Sequence, residues 1–551
     1  MTTDRQAPDD GPEPQPDVLV VGAGPAGLTL AAQLHSFGAR VRLVDRQLDR
    51  VHESRALAIQ PRTLEVLAGL GVTQTLVGLG NTAVQVRLHA GHRVVSIPLY
   101  DTGVADTAYP FLLFLSQAET ERVLGKQLQR RGVPVERGVE LAGIDQPGPA
   151  QTSLTCRLRH RDGQDETIRV RYLAGCDGAN STVRRLAGIP FEGRAYPQTF
   201  LLADLEVDGL DAGAAHTYLA DPGMLFFFPL GTPATWRMLT LRPPVGSGGE
   251  SPVTLAQLQA IADQYTGGRL RLRDPVWISD FRVHNRGAAR YRTGAVFLAG
   301  DAAHVHSPAG AQGMNTGIQD AVNLGWKLAL TTRGLAAPTL LDTYEPERAP
   351  VGQKVRRFTD RPFTIATSHH PLPRLARTQL APRLAPLAAR LTPARAAVFR
   401  TISELGIRYR HSPASTEGPR HPRRGPKAGD RLPDAPLVRD SQPTTLHAEL
   451  AAPSYHLLLC GPARCWPAPT LAALTERWPS QLAVHLLTRD ATPGGLHDPA
   501  GTALARLGCR PDRAAHYLIR PDGHIGYRAL GADLAGLHHY LTRWLTPASA
   551  G

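Results

Sequence analysis

The chain has 551 residues, 42% hydrophobic and 20% charged, with a formal net charge of +13. That balance excludes a disordered protein, and the length calls for two or three domains rather than one core. No apolar run is long enough to cross a bilayer, and the positive charge comes without the interleaved aromatics or the module of a nucleic-acid face.

Residues 1–16 are polar and Pro-rich and lack the basic and apolar regions of a signal peptide, so a disordered tail is expected. Val18 to Val21 reads as a buried strand, followed by Gly22-Ala23-Gly24-Pro25-Ala26-Gly27 and a helix from Leu28 to Phe37. A second apolar run, Val41 to Val44, ends in Asp45. Gly22 permits the tight turn, Gly24 lets backbone approach a pyrophosphate, and Gly27 lets the helix pack on the sheet. Asp45 stands where a carboxylate accepts from a ribose hydroxyl. Strand, glycine triplet, helix, second strand and terminal acid together predict dinucleotide binding.

Further along, Tyr172-Leu173-Ala174-Gly175 delivers Cys176-Asp177-Gly178, with Arg184 and Arg185 following. Taken alone this is an Asp-Gly turn. Segments rich in β-type residues come next, including Thr199 to Asp204 and Met224 to Pro229, where Phe226, Phe227 and Phe228 are consecutive. Strand alternation aims only two of those three rings at one face. A third apolar run, Val296 to Ala299, then brings Gly300 and Asp301 to a Pro/Gly-rich loop, Pro308-Ala309-Gly310-Ala311-Gln312-Gly313-Met314-Asn315, and to a helical pattern from Ile318 to Leu330. A carboxylate beside exposed amides at a helix N-terminus suits a ligand with sugar hydroxyls and an electron-rich head.

Residues 351–430 carry 16 Lys+Arg against 4 Asp+Glu, nearly the whole excess charge. Prolines at 371, 373, 382, 386 and 393 punctuate the stretch, predicting short helices in a solvated connector packed on the body. It lacks interleaved aromatics and any known nucleic-acid module, so neither nucleic acid nor membrane is an expected partner. From about residue 428 the strand signals His456 to Leu459 and Leu482 to Leu487 appear, then a hairpin from Ala515 to Arg528 around Pro521-Asp522-Gly523. Five scattered cysteines, at 156, 176, 460, 465 and 509, fit reduced thiols in a cytoplasm. No metal site is expected.

The glycine triplet, the Cys-Asp-Gly segment and the Gly-Asp segment, in this order, resemble those of the single-component FAD-dependent aromatic hydroxylases (group A flavoprotein monooxygenases). The resemblance extends to Ser54-Arg55-Ala56, Arg62 to Leu67, Gln117 with Glu121, Tyr344-Glu345-Pro346-Glu347-Arg348 and Arg520 to Gly523. It is greatest for the branch with a C-terminal thioredoxin-like domain, which contains phenol hydroxylases and polyketide-tailoring enzymes. It implies an α/β fold: a Rossmann-like FAD-binding domain from residues 17–82, 112–186 and 284–360, and an inserted substrate-binding β-sheet domain from 83–111 and 187–283. A basic helical connector over 361–427 and a thioredoxin-like domain over 428–551 follow. Cys460 and Cys465 are four residues apart, so the thioredoxin redox motif is missing, and packing or subunit contact, as in a homodimer, is the expected role.

The implied chemistry is hydroxylation of a phenolic or polycyclic aromatic through a flavin hydroperoxide. FAD is the cofactor; NADPH or NADH and dioxygen are co-substrates. Oxygen insertion or drug inactivation by the same chemistry is the alternative, and a non-catalytic flavin-binding scaffold is the alternative of another class. Gly22, Gly24, Pro25, Ala26 and Gly27 would line the diphosphate, with Asp45 on the ribose and Arg46 near the adenine. Arg55, the candidate catalytic residue, would lie near flavin and diphosphate, where its cation stabilises charge on reduced flavin. Gln117 would contact the ribityl region, Gly300 and Asp301 would hold ribityl hydroxyls, and Pro308, Gly310, Ala311, Gly313, Met314 and Asn315 would meet the pyrimidine edge. Asp177 would support the fold around the cofactor. Many relatives carry two glycines where this chain has Gly310-Ala311. For the substrate, Tyr218, Phe226, Phe228 and Pro308 are the candidates, in an enclosed and largely apolar pocket.

Overall fold

A computed structural model describes residues 15–50, 56–82, 84–90, 93–98, 103–145, 153–211, 213–220, 223–230, 234–242, 253–306, 311–367 and 392–548. Arg55, Pro308 and Gly310 lie outside the described residues.

The N-terminal motifs converge on one six-stranded sheet, ordered Arg292–Thr293, Val296–Leu298, Tyr172–Gly175, Val18–Val21, Val41–Asp45, Val135–Arg137. All neighbours are parallel except the edge pair Arg292–Thr293 and Val296–Leu298. All four residues of Val18–Val21 are buried, the expected pattern for a central parallel strand covered on both faces. Val18–Val21, Tyr172–Gly175 and Val296–Leu298 are immediate neighbours, so the loops leaving their C-terminal ends meet at one crevice. The helices Pro25–Ser36 and Gly313–Thr332 pack on each other beside that crevice.

An eight-stranded sheet stands over this body, ordered His304–Val305, Arg271–Ala288, Phe191–Asp208, Trp236–Leu241, Gly223–Pro229, Ala214–Ala220, Gln85–Ala90, Arg93–Pro98. Its pairings are antiparallel except that of Ala214–Ala220 with Gln85–Ala90. Gly223–Pro229 alternates buried and half-buried residues, so its two faces differ. One face carries Leu225, Phe227, Trp236 and Met238 and is covered by the helix Leu255–Thr266 through Leu258, Ile261 and Ala262. The other carries Phe200, Leu202, Phe226, Phe228, Leu239 and Trp277.

The C-terminal domain is a mixed sheet with Tyr455–Cys460 at its centre, parallel to Leu482–Thr488 and antiparallel to Ala515–Ile519. Helices Ala468–Arg477, Thr502–Leu507 and Ala535–Trp544 flank it. All five cysteines are unbridged.

The connector departs from expectation in its second half. The helix Tyr344–Thr367 runs through the predicted boundary at 360, and Thr392–Ile402 is also helical. Ser403, Glu404, Leu405, Tyr409, Ser412 and Ala414 are buried, not solvated, because they fill the seam between the N-terminal body and the C-terminal domain. Composition showed the excess of arginine there but not the carboxylates that meet it: Arg400 pairs with Asp106, and Arg410 with Asp430.

Candidate active site

The first loop of the crevice is shaped by close approach. Gly22 has φ +102°, and a methyl group on it would lie 2.4 Å from the Cys176 carbonyl oxygen. On Gly27 it would lie 1.8 Å from the Gly22 carbonyl oxygen. Gly22 is therefore required by packing of the first motif against the second, and Gly27 by the close turn of the first motif on itself. Gly24 is different. It starts the helix Pro25–Ser36 without any side-chain cap, and a methyl group there would meet nothing within 4 Å. An uncapped helix N-terminus facing open space fits a phosphate group. Asp45, at the end of the neighbouring strand, accepts from the Ala23 amide at 2.6 Å and the Gln47 amide at 2.8 Å, which aims its carboxylate at that turn. Arg46 follows, exposed.

Asp177 works within the protein. It accepts from Ser181 Oγ at 2.5 Å and from the Thr182 and Val183 amides at 2.7 and 3.1 Å, capping the helix Thr182–Leu186. Arg184 of that helix donates to the carbonyls of Ala302 and Ala179 at 2.8 and 2.7 Å. The second motif is thus bolted to the third by Arg184, whose sequence signal is only that it follows Asp-Gly.

In the third motif Gly300 and Asp301 form one turn of 3-10 helix, Gly300–Ala302, in which Asp301 is exposed and Gly300 buried. Behind it lies a buried cluster. Asp320 accepts from Gly300 N at 3.1 Å and from Arg348 Nε at 2.6 Å, and is 2.6 Å from His304 Nε2. Burial opposes its charge, but Arg348 and His304 hold the carboxyl below its usual range. Arg348 also donates to the Thr316 carbonyl at 3.0 Å and to Tyr409 at 2.8 Å. In the sequence Arg348 stands out only as part of a motif and Asp320 not at all, because nothing in a helical pattern marks one buried acid.

Gln312, Gly313, Met314 and Asn315 open the helix Gly313–Thr332. Asn315 accepts from the Gln60 amide at 2.8 Å and donates to the carbonyls of Ala58 and Ala311 at 2.9 and 2.8 Å. Its side chain is therefore a clamp between the loop and the strand Ala58–Ile59, and the helix start has no side-chain cap. Ala311 sits at φ +51°, a conformation that glycine adopts more easily. Gln117 donates from its own amide to the Ala56 carbonyl at 3.1 Å and from Nε2 to Glu121 at 2.8 Å. Burial pushes the Glu121 carboxyl up to about 7.

Of the substrate candidates, Phe226 and Phe228 share a face, with rings stacked at a 5.7 Å centroid separation. Phe228 reaches Phe114 and the cluster to which Ala311 belongs, so this face is turned to the loop that precedes the helix Gly313–Thr332. Tyr218 must be removed from that set. It pairs with Leu225, stacks on His89 and lies buried on the opposite face under the helix Leu255–Thr266. A period of two separates it from Phe226 through the register of two strands, which no single strand displays. A cavity of about 1020 Å³, lined by residues such as Gln312, Lys354, Glu404 and Tyr409, opens instead at the connector seam, and neither Phe226 nor Phe228 lines it.

Residues 15–359 match the FAD binding domain family, and residues 425–548 match the aromatic-ring hydroxylase C-terminal family. The chain is 35% identical over 543 residues to a 6-methylpretetramide 4-monooxygenase of Streptomyces rimosus, across 95% of this chain and 94% of that protein. The OxyS anhydrotetracycline hydroxylase from Streptomyces rimosus superposes with a TM-score of 0.76 at 30% identity, over 97% of this chain and 100% of that one. An aklavinone-11 hydroxylase in ternary complex with FAD and aklavinone superposes with a TM-score of 0.75 at 27% identity, over 96% and 98%. An uncapped helix start for a diphosphate, an acid at the second strand's end and likeness along nearly the full chain agree, and the chain belongs to the FAD-dependent aromatic-ring hydroxylases, enzymes of the flavoprotein monooxygenase class.

Proposed function

We propose that this monooxygenase hydroxylates a polycyclic phenol of the aromatic polyketide type, with reduced nicotinamide nucleotide and dioxygen as co-substrates. The observation that carries the reading is the half-buried aromatic face of Phe226, Phe228 and Trp277, broad, apolar and turned to the loop that holds Ala311. A flat apolar ring system buries more area there than a small benzoate, which would ask for charged partners. Relatives named for pretetramide and anhydrotetracycline point the same way.

FAD supplies the redox chemistry when bound. The chain's own groups would hold it: amides around Gly24 to Gly27 the diphosphate, Asp45 the ribose, Asp301 the ribityl hydroxyls, and the helix start from Ala311 to Asn315 the pyrimidine edge. Arg55 would place a cation near the ring. The aromatic face excludes water from the reacting atoms. Unbridged cysteines suit a reducing compartment.

Phenol, 5-hydroxynaphthoquinone and 1,8-dihydroxyanthraquinone, each given to the yellow holoenzyme with NADPH or NADH, test this. The expected result is stimulated nucleotide oxidation by the tricycle above phenol, and a product heavier by one oxygen with its ring intact by mass spectrometry. An ester product would overturn hydroxylation in favour of ring insertion, and stimulation by phenol alone would overturn the polycyclic assignment.

A further inference from the structure

The half-buried aromatic face contains one buried ion pair. Arg237 Nε and Nη2 donate to Asp204 Oδ1 and Oδ2, both at 2.7 Å. Arg237 is 1% exposed and Asp204 6%. Register places Asp204 beside both Arg237 and Trp277, and Arg237 beside Phe228. Two further bonds leave the pair in different directions. Trp277 Nε1 donates to Asp204 Oδ2 at 2.9 Å, and Arg237 Nη1 donates to the Ala56 carbonyl at 3.2 Å. The same carbonyl accepts from the Gln117 amide at 3.1 Å.

A buried pair of this kind adds little stability over an apolar pair of equal volume. Each charge is neutralised by the other, so the pair is also a poor anchor for a substrate anion. What it does is hold two objects in fixed relation. One is the indole of Trp277, part of the aromatic face with Phe226 and Phe228. The other is the backbone at Ala56, immediately after Arg55. A planar guanidinium can grip the carboxylate with two nitrogens and still present a third to the carbonyl, a geometry an ammonium does not reproduce.

We propose that Arg237 is a positioning residue that sets the substrate face against the backbone at Ala56, which Gln117 also anchors. Through Asp204 and Trp277 it thereby determines which ring systems are hydroxylated without wasted nucleotide oxidation. This rests on the reading above that the aromatic face receives the substrate.

The test uses FAD-loaded enzyme and 1,8-dihydroxyanthraquinone, with two variants, Arg237→Lys and Trp277→Phe. Binding is followed by quenching of tryptophan fluorescence, and turnover by product formed per nucleotide oxidised, with hydrogen peroxide measured alongside. Arg237→Lys is expected to keep its FAD yet bind the probe about tenfold more weakly, the equivalent of a lost hydrogen bond to a charged group. Its product yield per nucleotide should fall and its peroxide rise. Trp277→Phe keeps an aromatic ring while removing the bond to Asp204 and the indole's second ring; it should raise KM with kcat retained. It also decides the matter if Arg237→Lys does not fold. Unchanged probe affinity and unchanged coupling in both variants would overturn the proposal. A wild-type enzyme that binds the probe but never turns it over would overturn the functional reading instead, while the affinity shift still judges Arg237.

Discussion

Glu404 is a carboxyl where a carboxyl is unwelcome. It is buried, has φ +60°, and accepts from Thr316 Oγ1 at 3.0 Å and from Gln319 Nε2, both on the helix Gly313–Thr332. Burial raises its pKa from the usual 4.5 to about 7, against the pull of those bonds and of Arg348. The folded state therefore holds its proton more tightly than the unfolded chain. Stability from this group is complete below pH 4.5 and is lost as pH rises through about 7. Glu121, also raised to about 7, acts in the same direction. Relative to the wild type, Glu404→Gln is expected to gain stability as pH rises from 5 to 8, by on the order of 2–3 kcal/mol. Thermal melts of both proteins at pH 5, 6, 7 and 8 check it; parallel curves would show that Glu404 titrates unperturbed.

At the scale of elements, the strand Gly223–Pro229 separates packing from chemistry by alternation. Phe227 and its partners face the helix Leu255–Thr266, whereas Phe226 and Phe228 face the crevice. Phe228→Ala should weaken binding of 1,8-dihydroxyanthraquinone by about tenfold, from lost apolar area and a lost ring contact. Tyr218→Phe, on the far side, should leave that affinity unchanged. Titration of the holoenzyme distinguishes them, and an equal loss in both would mean that the face assignment is inverted. The alternation is legible in the sequence, since three successive phenylalanines on a strand cannot share a face. Which face is free is not legible there, because the covering helix comes from 255–266 and the pairing strand from 214–220. The helix Gly313–Thr332 offers the reverse case. Its apolar pattern from Ile318 is evident, yet its first turn reads as loop because Gly313 and Asn315 are poor helix formers, and only the Asn315 clamp to Ala58 and Gln60 explains their place in it.

Across the whole molecule, a buried polar network joins the N-terminal body to the C-terminal domain. Glu347 accepts from Arg520 at 2.6 and 2.7 Å, from Lys327 at 2.7 Å, from Asn323 at 2.7 Å and from Ser412 at 2.6 Å. Burial works against its charge, but Arg520 and Lys327 hold the carboxyl below its usual range, and burial lowers Lys327 to about 8. Arg431 similarly links Glu65 and Asp106 across the seam. Glu347→Ala would leave two buried cations without their shared partner, a loss of about 3–5 kcal/mol. A lower urea midpoint together with faster proteolysis at the seam checks it; an unchanged midpoint would show that the domains are held by apolar contact alone.

The motifs Tyr344 to Arg348 and Arg520 to Gly523 are visible in the chain as a family likeness, but their purpose is not. They lie some 175 residues apart in sequence, and meet only because the two domains dock. Local chemistry suffices for the dinucleotide turn: strand, glycines, helix and acid are all within one βαβ unit, where spacing translates directly into geometry. The family likeness, not local chemistry, supplies FAD and the order of the domains. Tertiary structure alone decides that Asn315 clamps a strand, that Tyr218 lies on the face opposite Phe226, and that Arg237 and Asp204 find each other. Each of those depends on partners brought in from distant strands or helices, and a buried polar side chain carries no mark in sequence of which distant group will satisfy it.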